Sequence, residues 1–186
     1  MAFGETQWVS LAGHATDTGG PVRGIDARVR QGQLGELVFQ YLLRGELARV
    51  RVPTAAPQVP AARADGLWKH TCFEAFIVDP TLPGYHELNF SPSGEWAAYR
   101  FNGYREGMSP ADVTSPPTID VRCFDDRLEL DATLRLTSLQ AVRSLKLALT
   151  AVVEDDSGRL SYWALRHAPG KPDFHHPNGF VLELTL

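Results

Sequence analysis

The stretch "LWKHTCFEAFIVD", residues 67–79, places four chemically useful side chains at alternate positions: the indole of Trp68, the imidazole of His70, the thiol of Cys72 and the carboxyl of Glu74. On an extended chain these four point the same way as Phe76, while Phe73, Ala75 and Ile77 point the other. A carboxylate inside an apolar run must be paired, exposed or placed for a ligand, because burying it uncompensated costs several kcal/mol, on the order of one strong interaction. Nucleophilic chemistry from His70 and Cys72 is poorly served. Side chains two apart on one strand stand side by side, and neither a third orienting group nor an oxyanion donor accompanies them. Acid–base work by a carboxyl pair, Glu74 with Glu87, requires a raised pKa on one member.

The neighbouring segments repeat this mixture. In "YHELNFS" (85–91), Tyr85, Glu87, Asn89 and Ser91 share one face, and His86, Leu88 and Phe90 the other. In "EWAAYRF" (95–101), Trp96, Ala98 and Arg100 alternate with Ala97, Tyr99 and Phe101. A sheet face of rings, carboxyls, amide and guanidinium suits a pyranose, whose C–H face packs on an aromatic ring and whose hydroxyls seek polar partners. Stacking about 100 Å² on a ring contributes about 2.5 kcal/mol, so two rings and a few charged hydrogen bonds give micromolar to millimolar binding. The competing expectation is that the aromatics are core and Glu74 pairs across the sheet with Arg100 or another base.

A second concentration of polar groups lies in "RHAPGKPDFHHP" (166–177), where Arg166, His167, Lys171, Asp173, His175 and His176 crowd a Pro- and Gly-broken loop. Such a loop suits a ligand surface or is simply exposed. Zinc held by His167, Asp173 and His175 is a weak reading, since the spacing fits no common ligand pattern. Trp163 and Leu165 alternate with Tyr162 and Ala164, and Trp163 is expected in the core.

These residues need a scaffold of strands. Segments 25–31, 36–44, 47–52, 71–79, 85–91, 95–101, 119–124, 127–136, 145–155, 159–167 and 180–184 alternate or run apolar, at spacings typical of antiparallel β-sandwiches. Turn formers ("DPTLPG", "SPSG", "DD", "DDSG") join neighbours. Two Pro-rich stretches, 53–66 and 105–118, read as long loops, and 137–145 as a helical turn. Long amphipathic helices, internal repeats and Gly-rich phosphate loops are not evident.

The bounds agree. The chain has 186 residues, 44% hydrophobic and 22% charged, enough for one self-sufficient domain. Its net charge of −4 and scattered basic residues argue against nucleic acid. Neither a signal-peptide pattern nor a long apolar run suggests export or a membrane partner, so a cytoplasmic location is expected. Cys72 and Cys123 both sit in apolar runs and are expected to be buried and free.

The segment "GLWKHTCFEAFIVDP…GYHELNFSPSGEWAAYRF" resembles the central signature of DOMON-like domains related to family 9 carbohydrate-binding modules. Trp68 precedes Phe73-Glu74-Ala75-Phe76, and Tyr85, Asn89 and the turn ending at Gly94 follow; the closing "SYWALRHAPGKPDFHHPNGFVLELTL" is similar too. The resemblance covers residues 24–186 and leaves 1–23 as an N-terminal segment holding an edge strand and a loop. It implies an all-β, single-domain sandwich of ten or eleven strands that binds a small saccharide or sugar-containing metabolite without catalysis. Trp68 would be a stacking plane and Glu74 a hydroxyl acceptor. His70, Glu87, Asn89, Arg100, Arg166, Phe174, His175 and His176 complete the expected site. The second Trp of the sugar-binding modules is absent, its loop reading Phe174-His175-His176-Pro177. Their calcium ligands do not map here. Other branches bind haem, for which Met108, with His70, His86 or the tail histidines, is the available axial ligand. A carbohydrate-active enzyme and a structural or protein-interaction sandwich are the remaining alternatives.

Overall fold

Alternation becomes architecture in a computed structural model, which describes residues 4–33, 36–54, 62–137 and 143–186. The strands are β1 (Val9–Gly13), β2 (Val22–Gln31), β3 (Leu37–Gly45), β4 (Cys72–Val78), β5 (Tyr85–Phe90) and β6 (Trp96–Phe101). The others are β7 (Ser109–Pro110), β8 (Thr118–Cys123), β9 (Arg127–Leu134), β10 (Ser144–Glu154), β11 (Leu160–Ala164) and β12 (Leu182–Thr185). All pairings are antiparallel, in the order β7-β6-β5-β4-β10-β11-β1-β2-β3-β9-β8, with β12 on β10 beside β11. The chain is thus an all-β sandwich made from one curled sheet, with no α-helix among the described residues.

The curl happens at β1. Its first half, Val9–Leu11, pairs with β2, and its second half, Ala12–Gly13, pairs with β11, so one short strand belongs to both layers. The strand expected in the N-terminal segment is therefore hydrogen-bonded on both sides, not an edge.

The two layers differ in burial, and the difference follows from sequence. β2 and β9 alternate buried and half-buried residues, one face inward and one towards water. β4 and β5 are buried on almost every residue. Their inner face (Phe73, Ala75, Ile77, Leu88, Phe90) meets Phe39, Tyr41, Leu43, Leu128 and Leu130 of the other layer in the main core. Their outer face joins a second, smaller cluster: Cys72, Phe76, Tyr85, Tyr99 and Phe101, covered by Leu67, Phe174 and Phe180 from loops.

Local chemistry sets the turns. Gly84 has φ 77°, and a Cβ there would fall 1.9 Å from the Phe101 carbonyl oxygen, so only glycine lets the chain enter β5 against β6. In "DDSG", Asp155 accepts the backbone N–H of Ser157 and of Arg159 through one oxygen, turning β10 into β11.

Four expectations need correction. Segment 47–52 is not a strand: Leu47–Arg49 forms a 3₁₀ turn and Val50 makes a single bridge to Asp155. Its alternation reflects Arg51 bonding Glu154 and Arg49 pairing with Asp156. The extended run does not begin at Trp68, since Leu67–Lys69 is a 3₁₀ turn and the strand starts at Cys72. Cys123 is exposed near the end of an outer strand, whereas Cys72 is buried; both are free. The loop 105–118 contains the two-residue strand β7. The helical turn expected in 137–145 falls largely outside the described residues.

Candidate functional site

The floor of the site is fixed by strand register. Glu74 lies opposite Asn89 on one side and Thr150 on the other; Phe76 lies opposite Glu87 and Ala148; Tyr85 lies opposite Phe101. Because side chains two apart share a face, this register lays Glu74, Phe76, Glu87, Asn89, Thr150, Val152 and Tyr162 on one surface.

Three irregular segments form the walls. The turn Leu67–Lys69 brings Trp68, whose indole meets Tyr99 edge-on at 6.2 Å. The loop after β6 brings Arg105 and Met108; Arg105 is non-glycine at φ 56°. The loop before β12 brings Pro172, Phe174 and His175. A latch joins the last two: Arg105 Nη2 donates to Asp173 Oδ1 at 2.7 Å, and the Tyr104 hydroxyl donates to Asp173 Oδ2. Beneath it the Tyr85 hydroxyl meets His175 Nδ1 at 2.7 Å and accepts the Arg105 backbone N–H at 3.1 Å. Between floor and walls remains a cavity of about 490 Å³.

Trp68, Glu74, Glu87, Phe174 and His175 line this cavity together. The indole keeps 37% of its surface, but Glu74 is only 2% exposed, so the mixed face is covered by loops and not solvated. Asn89 is fully buried beneath, its Nδ2 donating to Glu87 Oε1 at 2.8 Å. The other expected residues lie elsewhere. His70 is largely exposed and binds Glu154 through Nδ1 at 2.7 Å. Arg100 sits on the opposite face beside His86, where it donates to the carbonyls of Pro83 and Tyr85. Arg166 is exposed and not part of the lining. His176 caps the turn Pro177–Gly179 through Nδ1. The pairing of Glu74 with Arg100 is therefore not formed.

Sequence reasoning left Lys69, Phe76, Phe101, Arg105, Val152, Leu160, Tyr162 and Pro172 out of the expected site and named Met108 only as a haem ligand; these complete the lining. For Phe76, Phe101 and Tyr162 the alternation itself carried the signal. For Arg105, in an aperiodic loop, nothing did.

Electrostatically the floor is unusual. Among the described residues, Glu74 Oε1 is buried with no hydrogen-bond partner, and Oε2 has only the Thr150 hydroxyl at 3.4 Å. Burial, and then the charge of Glu87, push the Glu74 carboxyl well above the usual range, against the Thr150 bond. Burial also raises Glu87, against the Asn89 bond and the Arg105 charge. Burial, with Arg105 nearby, lowers His175 to about 4. Its imidazole is thus neutral at neutral pH, and its 3.7 Å approach to Glu87 Oε2 is a contact and not an ion pair. Among the described residues no cluster of His, Cys, Asp and Glu is arranged to hold a metal ion. His167, proposed with His175 for zinc, turns instead to the Ala12 carbonyl.

No family model and no curated protein matches this chain. Solved structures do. A candidate carbohydrate-binding protein from Bacteroides uniformis ATCC 8492 superposes with a TM-score of 0.66 at 13% identity, over 94% of this chain and 84% of that one. A family 9 carbohydrate-binding module from Caldicellulosiruptor kristjanssonii, in complex with cellotriose, gives 0.50 at 12% identity, over 88% and 74%. The module of that organism in complex with glucose gives 0.50 at 10%, over 88% and 76%. At such identities the likeness establishes the fold: the chain is a β-sandwich of the family 9 module type.

Proposed function

We propose that the protein is a non-catalytic saccharide-binding module whose ligand lies in the cavity between Trp68 and the Glu74–Glu87 floor. The observation that carries this reading is a half-open indole on the rim of a cavity whose base holds buried carboxyls and an amide. An aromatic plane beside polar groups that lack partners is what a sugar ring complements. About 490 Å³ lies within the range of small-molecule sites and holds one or two sugar rings, not a polymer threaded through it. The kinship of fold with modules solved with glucose and cellotriose supports the same reading. The DOMON relationship and a cytoplasmic ligand, a small glycan or sugar metabolite, belong to this proposal.

The test is a thermal-shift and calorimetry screen of mono- and disaccharides, with and without calcium, on wild type and Trp68→Ala. Loss of a stacked ring should weaken binding at least about tenfold. The urea midpoint should hold, since the indole is more than a third exposed. A Trp68→Ala protein that unfolds, with no sugar protecting the wild type, would return the ring to a structural role.

A hydrolase is the second reading, favoured by the raised carboxyl pair, since such a group can act as a general acid. Turnover of chromogenic glycosides, lost in Glu74→Gln, would establish it. Haem finds a poor fit. Met108 and His175 line the cavity, but the two His175 nitrogens face Tyr85 and Glu87. A Soret band in the purified protein would reverse that judgement.

A further inference from the structure

The floor of the cavity offers acceptors without donors. Among the described residues, Glu74 Oε1 has no partner, and Glu87 Oε2 meets only the neutral His175 ring at 3.7 Å. The donors nearby are committed: the Thr150 hydroxyl to Glu74 Oε2 and an Asn89 amide hydrogen to Glu87 Oε1. The Cys72 thiol faces the Asn89 oxygen at 3.8 Å. Among the described residues, neither carboxyl has an ion pair with lysine or arginine: of the two cations in the cavity wall, Arg105 is tied to Asp173, and Lys69, on the turn at the rim, pairs with neither carboxyl. The carboxyls are diagonal neighbours on β4 and β5, a spacing of about 7–8 Å between Cα atoms, so one small group seated between them reaches both.

A sugar hydroxyl fits this floor only while one carboxyl keeps its proton. It brings one donor and two lone pairs, which then meet one carboxylate and one carboxyl O–H. An ammonium brings three donors, no acceptor and a positive charge. With the sandwich fold below and apolar rings around, that charge sits where water screens it least. In the empty cavity a proton relieves the crowding of the two carboxyls; a ligand cation is what replaces it.

We propose that the Glu74–Glu87 floor is a subsite for a protonated amine, so that the preferred ligand is an amino sugar or a similar ring bearing a primary ammonium group. This rests on the cavity being the saccharide site proposed above, and deepens it by naming the ligand class. Trp68, with Phe101 and Phe174, takes the ring, and the two carboxyls take the nitrogen.

The experiment is calorimetry near neutral pH on the whole chain with matched pairs: glucosamine against glucose, galactosamine against galactose, and cyclohexylamine against cyclohexanol. Wild type should prefer the amine of each sugar pair by at least about tenfold, the factor that 1.4 kcal/mol makes. Glu74→Gln and Glu87→Gln, each nearly isosteric, should erase the preference while circular dichroism shows an intact sheet. Equal affinity within the sugar pairs overturns the amine subsite and leaves saccharide binding standing. Cyclohexylamine binding that depends on Glu74, with every sugar silent, supports the subsite and removes the saccharide reading. No binding by any amine refutes the subsite. Calcium that protects the protein through Glu74, with the amines inert, also overturns it in favour of a metal ion.

Discussion

Replacing Glu74 by glutamine should make the protein's stability less dependent on pH, and the direction follows from burial. The carboxyl is folded away with one oxygen unpartnered among the described residues, facing Glu87 across the strands, and burial, then the Glu87 charge, hold its folded pKa well above the usual carboxyl range. Its surroundings include Cys72, Asn89 and Thr150 on the floor, Tyr41 donating to its backbone carbonyl from the core side, and Arg105 and His175 on the walls. A group raised on folding stays protonated in the native state after the unfolded chain has released its proton. Native protein then binds more protons than unfolded, and stability falls as pH rises from the unfolded value towards the folded one. For one proton the slope is ~1.4 kcal/mol per pH unit. Glutamine has no proton to lose. Below the unfolded pKa the two proteins should differ by a constant, and between the unfolded and the folded pKa the variant should gain steadily on wild type. With an m-value of about 2 kcal/mol per molar urea, each pH unit inside that window moves the midpoints apart by about 0.7 M. The two carboxyls titrate as a pair, so the slope reports the pair. Urea unfolding of both proteins at about half-unit steps from pH 4.5 upward checks it. Parallel curves would show that Glu74 is ionised or hydrated when folded, and would remove the dry floor on which the site is argued.

Three further outcomes follow from the same contacts. Phe76→Ala should cost about 3–5 kcal/mol in urea unfolding, because Phe76 is 1% exposed and meets Tyr85, Phe174, His175 and Phe180; a loss below about 1 kcal/mol would mean that the covering loops do not pack. Maleimide should label one thiol in the native chain, Cys123, and two in denaturant, since Cys72 is fully buried and its thiol is pushed well up by burial and then Glu74. Asp173→Asn should change global stability by less than about 1 kcal/mol but speed hydrogen exchange at the Arg105 amide, which the latch holds against Tyr85; unchanged protection would assign the rim to Tyr85 and His175 alone.

Periodicity made much of the scaffold readable. Residues 71–79 carried a strand that the structure places at Cys72–Val78, and the alternation of Tyr85, Glu87 and Asn89 against Leu88 and Phe90 separates outer from core face as observed. The same alternation set Arg100 with Trp96 and Ala98, the face on which it is found, away from Glu87. Period-two logic misled at 47–52, where arginines alternate because they answer Glu154 and Asp156, with no neighbouring strand. It had no purchase on loops. Adjacent His175 and His176 diverge, one under the latch and one capping a turn, and Arg105 reaches the cavity through a backbone conformation that no pattern announces. How deep a face lies was equally hidden, because cover came from segments distant in sequence.

That cover explains why there is a site at all. A sheet face closed by a second sheet or by helices fills with interdigitating apolar side chains, as the inner face of β4 and β5 does with Phe39, Tyr41 and Leu43. The outer face is closed by turns and loops pinned at a few polar points: Tyr85 to His175, Arg105 to Asp173, Tyr99 to Asp65. Irregular segments held at points span a surface without filling beneath it. The gap they leave coincides with the stretch of β4 and β5 where Glu74 and Glu87 stand buried among apolar residues, and a carboxyl oxygen without a partner lowers stability wherever it is buried. An apolar residue in place of Glu74 would make a more stable sandwich. The loop-made hollow and the costly group at its base are therefore a single feature, and in the proposed function the compensation comes from the ligand that enters the cavity.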